Sequence, residues 1–401
     1  MSAVHWPCRC LTVPEGFGGV NARYWRGTAF AMALVATRDV PAFESGIHGL
    51  ELTVSATTDF IGIVAGGLER GTATPAALGI TAEISTADVG AWQGGVFGTS
   101  IFGVTGTDPS LLSGDIQDAS NIAFIGSVRV YEAWYEHSFD SGVQVLTGLR
   151  DVNSDFYSLE HADTFMNGSF GIGQEIAQDN LPTWAITSPG VRIRIPLSAE
   201  TYVQTAVFDG IPGDPTNPYG THVRFDRGDG ILTIFETGWV RPEARYAKVA
   251  AGSWHNTAEF EDFANRTRDS DWGAYLVAEA DFVRAAHGGE GLGGFIQFGY
   301  SAEDRNPVGY YAGVGAEWTG VLRARPDDVL GFAVAHARTA AGYLDAFPGT
   351  ERAETVMELT YLMSLRPWLI LQPDIQYVFD PGVNPNLDDA IILGLRVGLS
   401  F

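Results

Sequence analysis

Residues 391–401, where the chain stops, read I-I-L-G-L-R-V-G-L-S-F, with large apolar side chains at Ile391, Leu393, Leu395, Val397, Leu399 and Phe401. Between them lie Ile392, Gly394, Arg396, Gly398 and Ser400. Successive side chains of a strand point to opposite faces, so the first set makes one greasy face and the second a mostly small or polar one. A barrel in an outer membrane needs such a strand, with lipid outside and water or protein inside. The edge strand of a soluble sheet has the same alternation, so the rest of the chain must decide.

Segments of alternating character recur between turn signals from Leu50 onward. They predict strands near 50–66, 75–87, 95–104, 126–138, 143–151, 190–196, 201–208 and 231–240. Eight more follow near 245–252, 272–282, 293–300, 309–319, 328–338, 353–363, 368–378 and 390–401. The total is sixteen, an even number, as in bacterial up-and-down barrels. The connections test this reading. If the last strand ends in the periplasm, inner turns fall near 364–367, 320–327, 241–244, 197–200, 139–142 and 88–94, all short. The outer connections near 379–389, 339–352, 253–271, 209–230, 152–189 and 105–125 are mostly longer and carry Gly, Pro, Asn and Asp. A longish inner turn at 283–292 and short outer loops at 301–308 and 67–74 weaken the alternation.

Composition narrows the class. No apolar run reaches the length of a helical membrane span. The formal net charge of -24 supplies no basic stripe for phosphates, so no nucleic-acid partner is expected. Lys248 is the only lysine, and arginine carries nearly all the positive charge. Cys8 and Cys10 precede any strand pattern and are too closely spaced for an ordinary disulfide framework or a four-ligand metal site. Residues 1–45 are a leader: a signal peptide that starts late, with Arg23 and Arg26 before the apolar run 28–36, or a disordered segment. Residues 46–401 are one barrel domain.

Strand parity separates the faces. Ala274, Leu276, Ala278, Ala280 and Phe282 face lipid while Tyr275, Val277, Glu279 and Asp281 face away from it. Trp239, Trp272, Trp318, Tyr361, Tyr377 and Phe401 fall at or near strand ends on the outer face, where amphipathic rings suit the membrane interface. On the lumen side parity places Glu132, Trp134 and Glu136, then Arg192 and Arg194, Glu236, Lys248 and Glu358. Gln372, Asp374, Gln376 and Arg396 complete this set. Arginine, carboxylate, amide and tryptophan together suit a sugar, although a generic hydrated lumen has similar composition.

The connection 152–189, third on the outer side, is long enough to be functional. Asp155, Asn167 and Trp184 are its candidates for lining a constriction, with ordinary loop residues as the alternative. His161 and His336 lie in unrelated segments, and no hydrolase or metalloprotease motif accompanies them. No enzyme activity, cofactor or metal site is expected.

Several stretches resemble the carbohydrate-selective porins of the OprB family. They are G-A-W-Q-G-G-V-F (90–97), V-R-V-Y-E-A-W-Y-E (128–136), F-M-N-G-S-F-G (165–171), T-Y-V-Q-T-A-V-F-D-G-I-P (201–212), R-A-R-P-D-D-V-L-G (323–331), M-E-L-T-Y (357–361) and W-L-I-L-Q-P-D-I-Q-Y-V-F-D-P-G (368–382). The resemblance runs in order from about residue 46 to the end. It implies an all-β, sixteen-stranded antiparallel barrel in the bacterial outer membrane, narrowed by inward loops, for passive diffusion of glucose and similar sugars. It implies a lining role for Glu132, Trp134, Arg192, Arg194, Glu358, Gln372, Asp374 and Gln376. The alternative is a general or anion-preferring porin of the same fold, suggested by the arginines at 192 and 194. Both termini are expected in the periplasm. The expected partners are sugars, outer-membrane lipid and lipopolysaccharide, and the barrel-assembly machinery through Phe401.

Overall fold

The computed structural model describes residues 49–178, 181–241, 246–283 and 291–401. The leader, with Cys8 and Cys10, lies outside them, as does most of the turn expected at 283–292. The first eight strands are β1 (Leu50–Ala65), β2 (Ala76–Ser85), β3 (Gly95–Thr105), β4 (Ser127–Ser138), β5 (Gln144–Arg150), β6 (Ser188–Pro196), β7 (Thr201–Asp209) and β8 (Ile231–Arg241). The second eight are β9 (Ala247–Asn256), β10 (Asp271–Val283), β11 (Gly291–Ser301), β12 (Val308–Thr319), β13 (Val329–Thr339), β14 (Ala353–Arg366), β15 (Leu369–Phe379) and β16 (Ala390–Ser400). A short piece, Gly71–Ala73, pairs with β1 as β2 does, so it is the far end of β2. It is split off at Thr74 and Pro75, where proline has no N–H to give the ladder.

Consecutive strands pair antiparallel, and β16 pairs with β1 from Ser55↔Ser400 to Ile63↔Ile392. The sheet closes on itself, so no strand is left as a free edge along its whole length. Phe401 completes the seam: its N–H donates to Val54 O at 2.9 Å, and Val54 N–H donates back at 3.0 Å.

Alternation explains which way each face turns. Leu276, Ile296, Phe298, Phe332, Leu359 and Ile375 are exposed on the outside, while Val277, Gln297, Ala333, Glu358 and Gln376 from the same strands are buried inside. A continuous apolar exterior around a closed sheet is built for hydrocarbon. Aromatic rings mark both rims. Trp272, Tyr300 and Tyr310 pack as a row of tilted rings, with centroids 5.4 and 4.9 Å apart, at the end away from the termini, and Trp368 stacks on Phe401 at 5.9 Å at the other. No helix among the described residues is long and apolar enough to cross a membrane.

The connections at the terminal end include the short turns 139–143, 197–200 and 367–368, and those at the far end include 106–126, 151–187, 210–230 and 257–270. The short far-end connections 66–70 and 302–307 remain exceptions. The long third connection is 151–187, because β6 already begins at Ser188.

Candidate solute pathway

β5 is only 7 residues long, and after Arg150 the chain turns into the barrel instead of continuing along the wall. Phe156, Phe165, Met166, Phe170, Ile172 and Ile176 of the third connection bury themselves against inward side chains such as Val277, Phe295, Ala333 and Val356. The segment has little regular structure, so its backbone must find other partners. The wall supplies them. Glu358 accepts from the N–H groups of Met166 (2.6 Å) and Asn167 (2.9 Å). Glu236 accepts from Tyr157 N–H at 3.1 Å, and Glu279 from His161 N–H at 2.9 Å. Gln372 donates to Thr164 O at 2.6 Å and Gln297 to Phe170 O at 2.7 Å. Anchors spread from β8 to β15 hold the segment inside the barrel.

Every inward residue expected from parity does face the interior, in two settings. Glu236, Glu358, Gln372 and Gln376 are buried and occupied with the segment or with neighbouring wall groups; Gln376 donates to Ala119 O at 2.9 Å and accepts from Asn167 Nδ2 at 3.2 Å. Asp374 accepts from Gln376 at 3.1 Å, and Lys248 donates to Ser158 O at 2.5 Å. Arg396 forks onto Asp59 across the closing seam. Among the loop candidates, Asn167 caps a helical turn by accepting from Ser169 N–H at 3.1 Å. Trp184 packs on the wall between Phe102 and Tyr131, with ring centroids 5.5 and 5.2 Å away.

The second setting is wetter. Arg150 donates to Glu132 at 2.7 Å and to Asp155 at 2.9 Å, and Arg192 reaches the same Asp155 at 3.0 Å while also pairing with Glu136. Burial pushes the Asp155 carboxyl up, but Arg150, with help from Arg192 and Arg194, outweighs it and holds Asp155 below the usual carboxylate range. Arg150 lies over the Trp134 ring at 5.1 Å and Arg194 over Tyr202 at 3.8 Å. A Cβ on Gly98 would sit 2.3 Å from the Trp134 ring, so that glycine is what lets the indole lie flat against the wall.

The interior is therefore asymmetric. Inward residues of β1 and β2, including Glu51, Thr53, Ser55, Thr81 and Glu83, keep contact with water, as do Trp134, Glu136, Arg150 and Arg194. Most inward residues of β8 to β15 are covered. The tip of the segment meets a cluster of acids: His161 Nδ1 lies 2.7 Å from Glu317 and Nε2 lies 3.3 Å from Asp281. Burial works against the charged imidazole, but Glu317, bonded to it, with Glu279 and Asp281 raises His161 above its ordinary value. His336 is exposed on the outer surface, on the other side of the wall from His161.

Arg150, Arg129 and Tyr131 escape the parity reading. β4 bulges between the pairs Ser100↔Glu132 and Ile101↔Val130, so Tyr131 and Glu132 both face inward and the phase changes there. Arg150 ends a strand too short to show a pattern. Asp59 could have been found from the inward parity of β1, since it stands opposite Arg396.

The profile of the carbohydrate-selective porin, OprB family, matches residues 69–401. The chain belongs to that family. Its members are sugar-selective channels of the bacterial outer membrane, and this OprB-family porin has their closed antiparallel barrel. Its first strand lies before the matched region. Porin B of Pseudomonas aeruginosa is 22% identical over 314 residues, 68% of each chain. The putative porin QuiX of Acinetobacter baylyi is 21% identical over 306 residues, 68% of this chain and 69% of its own. A structure described as the high pH structure of Pseudomonas putida OprB superposes with a TM-score of 0.78 at 21% identity, covering 88% of this porin and 94% of that chain.

Proposed function

We propose that neutral sugars diffuse through this porin along the wetter wall, between the inward faces of β1 to β6 and the polar edge of the 151–187 segment, which acts as the constriction. The observation that carries this reading is the asymmetric interior: one wall is sealed by the segment's apolar side, while the other presents Trp134, Glu136, Arg150 and Arg194 to water. Guanidinium and carboxylate groups can donate to and accept from sugar hydroxyls, and the indole offers a flat apolar face. Solute must bind weakly enough to leave again.

The geometry favours sugars over anions. Arg150, Arg192 and Arg396 are each matched by one or two carboxylates, which cancels the field an anion would follow. Both termini lie in the periplasm in this reading, Phe401 is part of the signal read by the barrel-assembly machinery, and the apolar belt meets outer-membrane lipid and lipopolysaccharide. Reconstituted into planar bilayers, the protein should conduct ions and show a current that falls as sugar is added. A current indifferent to sugars but strongly anion-selective would favour the general porin instead.

A further inference from the structure

One row of inward residues crosses the wetter wall at right angles to its strands. Glu51 of β1 stands directly opposite Glu83 of β2, Glu83 opposite Gly98 of β3, and Gly98 opposite Trp134 of β4. Side chains directly opposite on one face of a sheet start about 5 Å apart, so the row is a continuous strip. The Trp134 ring lies over Gly98, which has no side chain to hold it off, and so reaches from β4 towards Glu83.

Like charges directly opposite each other on paired strands repel. Here both carboxylates face water, and neither has an ion-pair partner among the described residues. The other charges around Glu83 are Arg150, Glu132 and Glu136. Arg150, the one cation among them, is already shared by Glu132 and Asp155, as Arg192 is by Glu136 and Asp155. Along this wall and the edge of the segment that meets it, the five acids Glu51, Glu83, Glu132, Glu136 and Asp155 thus stand against the three arginines 150, 192 and 194. The unmatched charge sits on Glu51 and Glu83.

We propose that Glu51 and Glu83 set the charge preference of the channel: beside the indole they favour cations, so a sugar carrying a protonated amino group passes in preference to a neutral one, and a sugar acid is disfavoured. The inference rests on the wetter wall being the solute path. An ammonium group donates up to three hydrogen bonds, which the two carboxylates can accept while the apolar face of the sugar meets Trp134. The low-dielectric wall focuses the field of an unmatched pair into the lumen, and carboxylates lining a pore are a general means of selecting cations. The paired acids Glu132, Glu136 and Asp155 add less, because a guanidinium beside each cancels most of its field.

The full chain in planar bilayers, under a gradient of dilute potassium chloride, should give a reversal potential that favours potassium over chloride. At about pH 6, where an amino sugar is protonated, glucosamine should block the current at a concentration about fivefold below that of glucose, the factor expected for one charge pair a few ångströms apart in a watery lumen. Glucuronate should block less than glucose. In E51Q/E83Q the reversal potential should move towards zero and the ratio of the glucosamine and glucose blocking concentrations towards one, whereas E51D/E83D, which keeps both charges, should retain both properties. Heat-dependent gel mobility verifies that the variants are folded. Equal passage of potassium and chloride in the parent protein, or a cation preference and block ratio that E51Q/E83Q leaves unchanged, overturns the proposal. Absence of glucose block, with a cation preference that E51Q/E83Q abolishes, fails the path for neutral sugars while supporting the carboxylate pair as the source of the charge preference.

Discussion

Arg396 on the last strand and Asp59 on the first stand directly opposite each other, joined by two hydrogen bonds of 2.7 and 2.8 Å across the line where the barrel closes. Ser120 donates to the same carboxylate at 2.7 Å, and Asn121 accepts from the guanidinium at 2.7 Å. Both charges are buried, so removing one leaves the other uncompensated. D59N should therefore cost about 3–5 kcal/mol, the usual loss for breaking a buried pair. Thermal unfolding in detergent, followed by gel mobility, checks it; an unchanged midpoint would mean that the seam is held by its ladder alone.

Glu358 pins two consecutive N–H groups of the inserted segment. E358A should release residues 166 and 167, and at about 1.5–3 kcal/mol per charged hydrogen bond the seated state would lose at least a tenfold advantage. Larger and noisier single-channel currents are the expected result, with barrel content unchanged by circular dichroism.

His161 gives the same segment a pH-sensitive anchor. Its raised value means that the charged form is favoured in the folded protein, so this stabilisation is complete below about 6.5 and fades as pH rises through the raised value. Current fluctuations should increase on the alkaline side, and H161Q should show them already at neutral pH. Equal noise at pH 6 and pH 9 in the parent protein would count against this anchor.

Gly98 lies beneath Trp134, and G98A should push the indole off the wall into the path. Single-channel conductance should fall and sugar block should change, because the ring no longer lies under Arg150. W134A should weaken sugar block by about tenfold, ~1.4 kcal/mol. If block survives W134A intact, the sugar takes another route.

Much of this architecture was legible in the chain because a β-barrel writes its geometry as a period of two. Every barrel strand was found to within a few residues, although the small antiparallel pair Phe260–Glu261 and Thr267–Arg268 in the connection after β9 was not, and Trp272, Trp318 and Phe401 lie on the outer face as parity required. The bulge at Tyr131 and Glu132 was not legible, since both phases of V-R-V-Y-E-A-W-Y-E look amphipathic. Parity also shows only that Glu236, Glu358 and Gln372 point inward. It cannot distinguish a side chain that meets water from one that holds a loop, because that depends on contacts far apart in sequence.

Those long separations bear on how the molecule is put together. Met166 is bound by a residue 192 positions later and Asn167 by one 209 positions later. The segment cannot take its final place until β14 and β15, which bear several of its anchors, stand in the wall. Closing such long loops is slow, and it pays only when the distant contacts form together. Narrowing of the channel is therefore coupled to completion of the wall: until β14 and β15 are in place, the interior holds no seated segment.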